Sequence, residues 1–83
     1  MRLRSTEIST RTIGDETIVL SLSSSRYFSI TGVGSRVFQL LAEERSIDQL
    51  VDTIVGEYDV DPARARTDVT DFVDRLRAAD LLN

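Results

Sequence analysis

The first third of the chain alternates between apolar and polar positions. In the segment ETIVLSL, residues 16–22, the side chains separate into two sides: Ile18, Leu20 and Leu22 on one, Thr17, Val19 and Ser21 on the other. A period of two over this length is typical of a half-buried β-strand. The pattern therefore predicts a strand over residues 16–22.

Two further β-prone segments flank this strand. The preceding segment, EISTRTI, is rich in threonine and isoleucine, and Gly14-Asp15 supplies a turn between the two. A second polar turn, Ser23-Ser24-Ser25, leads into RYFSI. Strands joined by short turns predict an antiparallel meander, with the flanking strands over residues 5–13 and 26–30.

From Thr31 onward the apolar spacing becomes helical. The apolar positions 33, 37, 38 and 41 lie on one face of a short helix, which is predicted over residues 33–43. Ser46 followed by Gln49 is typical of a capping box, and the apolar stripe behind it predicts a second helix over residues 47–57.

A third helix start follows. Asp61 suits an N-cap and Pro62 suits the first helical position, so a helix is predicted over residues 62–79. Leu81-Leu82, directly after it, are expected to pack on the core. The resulting order is three strands and then three helices in a single domain.

The composition removes several kinds of chemistry. The 83 residues include no cysteine and no histidine, which excludes disulfides, thiol nucleophiles, cysteine-based zinc sites and Cys/His catalytic pairs. We expect no cofactor, no metal and no enzymatic activity. The sequence also lacks the apolar run of a signal peptide or a membrane span, so we expect a cytoplasmic protein without a membrane partner.

The charge distribution bears on nucleic-acid binding. Residues 31–83 carry six arginines and eleven acidic residues, which makes this part of the chain acidic. A small sheet with three helices also fits a winged-helix regulator that binds nucleic acid. Residues 62–83, however, carry four arginines and four aspartates, whereas a DNA-binding helix normally has a basic excess. Nucleic-acid binding therefore stays the alternative function, and the favoured reading has no nucleic-acid partner.

The Gly32-Val33-Gly34 corner invites a comparison with phosphate-binding loops. A dinucleotide fingerprint requires a third glycine where Val37 stands, and a P-loop requires a lysine, which this chain lacks altogether. The corner is better interpreted as a bend between strand and helix. An acyl carrier is also disfavoured, because the chain has no Asp-Ser pair to receive a phosphopantetheine arm.

Acidic and basic residues alternate along the predicted third helix. Asp68, Asp71 and Asp74 are interleaved with arginines, and Asp71 and Arg75 have the spacing of a favourable ion pair. This pattern indicates a solvated helix face rather than a catalytic pair of carboxylates.

The ordered set of motifs resembles a known family. The segment YFSITGVGSRVFQLL, followed by SIDQLVDTIVGEYDVDPARARTDVTDFVDRLRAADLL, resembles the PqqD-like proteins, the precursor-peptide recognition elements of ribosomal natural-product pathways. Tyr27-Phe28 match the aromatic pair of the family, Gly34 its corner glycine and Tyr58-Asp59-Val60 its link before the last helix. Three positions depart from the pattern: Thr31 stands where Asn is common, Val33 stands where Thr or Ser is usual, and Ser25 replaces a frequent turn glycine.

The resemblance implies a winged helix-turn-helix-like α+β fold, with a three-stranded antiparallel sheet followed by three helices. It implies that the leader of a precursor peptide adds as a further strand to the edge of the third strand and packs on the third helix. The peptide-binding residues implied for this chain are Arg26, Tyr27, Phe28, Ser29, Ile30, Val69, Phe72, Val73 and Leu76. For the four residues of the helix, simple core packing is an equally open reading.

The resemblance also implies a role and partners. Stand-alone members of this kind are non-catalytic adaptors that deliver the leader to maturation enzymes. The small chain is similar to the lasso-peptide recognition proteins, whose partners are a leader peptidase and an ATP-dependent cyclase. We therefore expect a leader peptide, a leader peptidase and a cyclase as partners.

Overall fold

Three strands and three helices make up the protein. The computed structural model describes all residues from Met1 to Asn83. The strands are β1 (Ile8–Ile13), β2 (Glu16–Ser21) and β3 (Arg26–Thr31), and the helices are α1 (Gly32–Leu40), α2 (Ile47–Glu57) and α3 (Pro62–Ala78). The strands form one antiparallel sheet in the order β1-β2-β3. The predicted α+β fold is therefore confirmed.

Two element boundaries differ from the prediction by more than one residue. β1 begins at Ile8 rather than near residue 5, because Glu7 has a φ of 63° and interrupts the extended backbone. α1 ends at Leu40 rather than near residue 43. There the N–H of Leu41 lies 3.2 Å from the carbonyl oxygens of both Val37 and Phe38, and this tighter hydrogen bonding closes the last turn.

The predicted helix starts are present. The Ser46 hydroxyl accepts a hydrogen bond from the Gln49 N–H at 3.1 Å, and the Gln49 side-chain oxygen accepts one from the Ser46 N–H at 2.9 Å. The Asp61 carboxylate accepts a hydrogen bond from the Arg64 N–H at 3.1 Å, and Pro62 is the first residue of α3. These caps satisfy backbone donors that would otherwise lack partners.

The buried side of β2 is the less aliphatic one. Val19 is fully buried, whereas Leu20 and Leu22 are 41% and 59% exposed. The Thr17 hydroxyl explains how polar residues occupy the inner side, since it lies 2.6 Å from the buried Ser35 hydroxyl of α1. The aliphatic side of β2 therefore faces away from the helices.

The helices are held together by packing and by two ion pairs, one between Arg66 of α3 and Asp48 of α2 and one between α1 and α2. The Arg36 guanidinium on α1 donates two hydrogen bonds to the Glu57 carboxylate at the end of α2, at 2.8 and 2.7 Å. These hydrogen bonds raise the pKa of Arg36 and lower the pKa of Glu57.

Leu81 and Leu82 are buried against the core, as expected. None of the helices has the length and apolar content needed to span a membrane.

Candidate functional site

A mostly apolar groove of about 400 Å³ lies between β3 and α3. Ser29, Ile30 and Thr31 form its wall on the sheet side. The helical wall belongs to α3, the first turns of α1 contribute to the lining, and the groove is completed by Ile54 and Val60. A concave apolar surface of this size has room for a few side chains of a ligand.

The glycine corner sets the shape of this groove. A Cβ atom on Gly34 would lie 3.0 Å from Cγ2 of Ile30 and 3.3 Å from Cε1 of Phe72. Glycine therefore allows α1 to approach both walls this closely, because a Cβ at this position would make contacts shorter than ordinary van der Waals distances. Gly32 has a φ of 63°, which favours glycine, so both residues serve the bend from strand to helix.

β3 is an edge strand, and half of its backbone hydrogen-bonding groups have no partner in the sheet. The Gly32 N–H donates a hydrogen bond to the Asp15 carbonyl at 3.1 Å, which shows which residues of β3 form hydrogen-bonded pairs with β2. Because bonded and non-bonded pairs alternate in an antiparallel ladder, every second residue of β3 bonds to β2. The others, Tyr27, Ser29 and Thr31, direct their N–H groups out of the sheet, and Tyr27 and Ser29 direct their C=O groups outward as well, whereas the C=O of Thr31 belongs to the N-cap of α1.

β1 forms the opposite edge of the sheet. The Leu22 N–H donates to the Glu7 carbonyl at 2.8 Å, so the same alternation directs the backbone groups of Ile8, Thr10 and Thr12 outward. Beside this edge lies a smaller hollow of about 240 Å³, lined in part by residues 2–5. β1 lacks a groove with a helical wall, and its side chains from Ser9 to Ile13 are exposed on both faces. The two edges therefore offer very different surfaces to a further strand.

The predicted binding residues fall into three groups. Ser29, Ile30, Val69 and Phe72 come together in the lining of the groove. The other residues of β3 lie outside it: the Arg26 guanidinium is 5.4 Å from the ring centroid of Phe28, and Tyr27 is 71% exposed on the outer face. Val73 and Leu76 are buried in the hydrophobic core. The part that each residue plays in binding remains a prediction.

Sequence reasoning did not propose Asp68 or Arg75 as binding residues, although both line the groove. The alternation of acidic and basic residues along α3 indicates a solvated, charged helix face instead. The available signal was their spacing around Phe72, since positions i, i+4 and i+7 lie on one side of a helix. The charged residues therefore belong to the same wall as the central aromatic side chain.

Comparisons with known proteins find a matching family and two similar solved structures. A family model described as coenzyme PQQ synthesis protein D (PqqD) matches residues 16–82. Among solved structures, the chain is similar to TbiB1 in complex with the TbiA(beta) leader peptide, with 35% identity and a TM-score of 0.90 over 100% of this chain and 95% of the other.

A second solved structure has the same fold at lower identity. It is lasso peptide synthetase B1 complexed with the leader peptide, with 24% identity and a TM-score of 0.83 over 96% of this chain and 93% of the other. A comparison with curated proteins finds no match.

Proposed function

The chain belongs to the PqqD family, and from this membership we propose that it is a non-catalytic adaptor that binds the leader of a ribosomally synthesised precursor peptide. The leader adds to β3 as a fourth strand. The adaptor then presents the leader to maturation enzymes, a leader peptidase and a cyclase, in lasso-peptide biosynthesis.

The observation that carries this proposal is the free edge of β3 beside the groove. Three alternate residues, Tyr27, Ser29 and Thr31, offer outward N–H donors to a guest strand, and Tyr27 and Ser29 also offer C=O acceptors. In strand addition these main-chain bonds supply affinity, while pockets for alternate side chains supply specificity. The groove receives the side chains that a guest strand directs toward α3.

The comparison structures support a peptide ligand of this class. Both were solved as complexes with leader peptides, and TbiB1 is 35% identical to this chain over its whole length. The groove favours β3 over β1 as the acceptor edge, because only β3 has an apolar helical wall alongside it. A guest strand on β3 buries side chains that would stay exposed on β1.

A direct titration tests leader binding. The probes are the fluorescently labelled TbiA(beta) leader peptide and the leader of the precursor encoded beside this gene. Fluorescence anisotropy should show saturable binding of at least one probe, with a dissociation constant below about 100 μM. Failure of both probes to bind at that concentration contradicts the proposal.

A proline placed on each edge in turn locates the binding strand. Ser29→Pro removes one outward N–H of β3, and Thr10→Pro removes one from β1; both positions lie where an edge strand tolerates proline. We expect Ser29→Pro to weaken leader binding at least tenfold, because each lost main-chain bond in a guest ladder contributes about 1 kcal/mol and the ring also crowds the guest. Thr10→Pro should bind the leader as the wild type does. Weaker binding by Thr10→Pro together with normal binding by Ser29→Pro would instead place the leader on β1.

Delivery requires a surface that stays free while the leader is bound. The outer apolar face of the sheet meets this condition, since it lies on the side away from the helices and the groove; it is formed by Ile13, Ile18, Leu20, Leu22 and Tyr27. Exposed apolar clusters of this kind are typical of protein interfaces. We infer that the leader peptidase docks on this outer apolar face.

A further inference from the structure

The helical wall of the groove presents an acidic, an aromatic and a basic side chain in sequence along α3. Asp68, Phe72 and Arg75 follow one another along the face of α3 that lines the groove. The aromatic ring lies between the two charges, which are separated by about 10 Å along the helix axis at 1.5 Å per residue. In a guest strand paired with β3, every second side chain faces α3, so these side chains lie opposite Asp68, Phe72 and Arg75.

The two charges of this wall are not equally available. The Asp68 carboxylate lies 3.3 Å from Nε of Arg64, one turn earlier on the same helix. Arg75 is exposed and forms no ion pair, not even with Asp71 one turn earlier, and its guanidinium donates no hydrogen bond within the protein. The chain as a whole carries a net charge of −4. Arg75 is therefore an unpaired positive charge on the groove of an otherwise acidic protein.

We propose that the leader carries an acidic side chain at an inward-facing position and that Arg75 binds this carboxylate. The adjoining inward position holds an apolar side chain over Phe72 and Ile30. This inference rests on the proposed function and adds the chemistry by which the groove selects its leader. Arg75 is a specificity-determining residue because its guanidinium can form a bidentate pair of hydrogen bonds with a carboxylate. The same guanidinium repels a lysine or arginine of the peptide at that position.

The position of Arg75 explains why such a pair contributes to binding. Exposed ion pairs contribute little, but a guest strand beside the apolar lining excludes water from one side of the pair. Charge complementarity at a contact site mainly selects between ligands. The expected effect is therefore a change of preference among peptides rather than a general gain of affinity.

The test uses a matched pair of charge reversals. Arg75→Glu and Arg77→Glu make the same change of net charge within the last turn of α3. Arg77 does not line the groove, and its Nη2 lies 3.9 Å from the sulfur of Met1. Thermal unfolding followed by circular dichroism checks that both variants keep the stability of the wild type, and Arg75→Gln provides a neutral variant.

Each protein is titrated with variants of the TbiA(beta) leader peptide and of the leader encoded beside this gene, in which each position in turn is Asp or Lys. For the wild type and Arg77→Glu, we expect one inward position at which Asp binds about tenfold more tightly than Lys. For Arg75→Glu this preference should reverse, and for Arg75→Gln it should disappear.

Two results would overturn the inference, and they are distinguishable. If the leaders bind but Arg75→Glu keeps the same Asp-to-Lys preferences as Arg77→Glu, the role assigned to Arg75 is wrong while leader binding stands. If no leader binds the wild type, the proposed function fails and this inference fails with it.

Discussion

At the scale of single residues, the turn before β3 stands out because Ser25 has a φ of 56°. This left-handed conformation is unfavourable by roughly 1–2 kcal/mol for a residue with a Cβ atom. The sequence already marked this position, since Ser25 stands where the family often has glycine. No comparable signal marks Glu7 or Asp80, which also have positive φ values, because their conformations depend on how the chain packs.

Replacing Ser25 with glycine should stabilise the protein. The relief of strain exceeds the extra entropy of glycine in the unfolded chain, so we expect Ser25→Gly to raise the free energy of unfolding by about 0.5–1 kcal/mol. Urea denaturation measures this change. The matched control is Ser24→Gly, which removes the 2.9 Å hydrogen bond from Ser24 to the Ser21 hydroxyl and should destabilise. A Ser25→Gly variant no more stable than the wild type would contradict the strain assigned to this turn.

At the scale of elements, the chain's local patterns located the strands and helices, but not the buried side of β2. Caps and helical stripes act within a few residues, so Ser46, Gln49 and Asp61 could be assigned from the sequence. The buried side of a strand depends on distant partners. Here the Thr17 hydroxyl forms a hydrogen bond with the Ser35 hydroxyl of α1. Because this bond satisfies both buried hydroxyls, Thr17 can lie on the inner side of the sheet.

The outward side of β2 can be tested at Leu20. Leu20→Thr keeps a strand-forming residue, and because Leu20 is 41% exposed we expect a loss of stability below about 1 kcal/mol. Val19→Ala, on the buried side, should cost about 2 kcal/mol in urea denaturation. Leu20→Thr should also bind leader normally but fail to support cleavage by the leader peptidase. Normal peptidase cleavage with this variant would exclude the outer apolar face as the docking surface.

At the scale of the whole molecule, the groove is produced by residues far apart in the chain. Gly34 of α1 lies beside both Ile30 of β3 and Phe72 of α3, and no local pattern in the sequence indicates this juxtaposition. The family resemblance pointed to β3 and α3, but it could not separate lining residues such as Phe72 from core residues such as Val73. That distinction depends on the rotation of α3 against the sheet, which tertiary packing determines.

The central claim is that a leader strand completes the sheet at β3. Residue-resolved amide hydrogen exchange by NMR, with and without saturating leader peptide, tests it most directly. We predict that the peptide slows exchange of the outward amides Tyr27, Ser29 and Thr31 by at least about tenfold, while the outward amides of β1, Ile8, Thr10 and Thr12, are unchanged. Unchanged exchange along β3 in a saturated complex, or protection of the β1 amides instead, would contradict the claim.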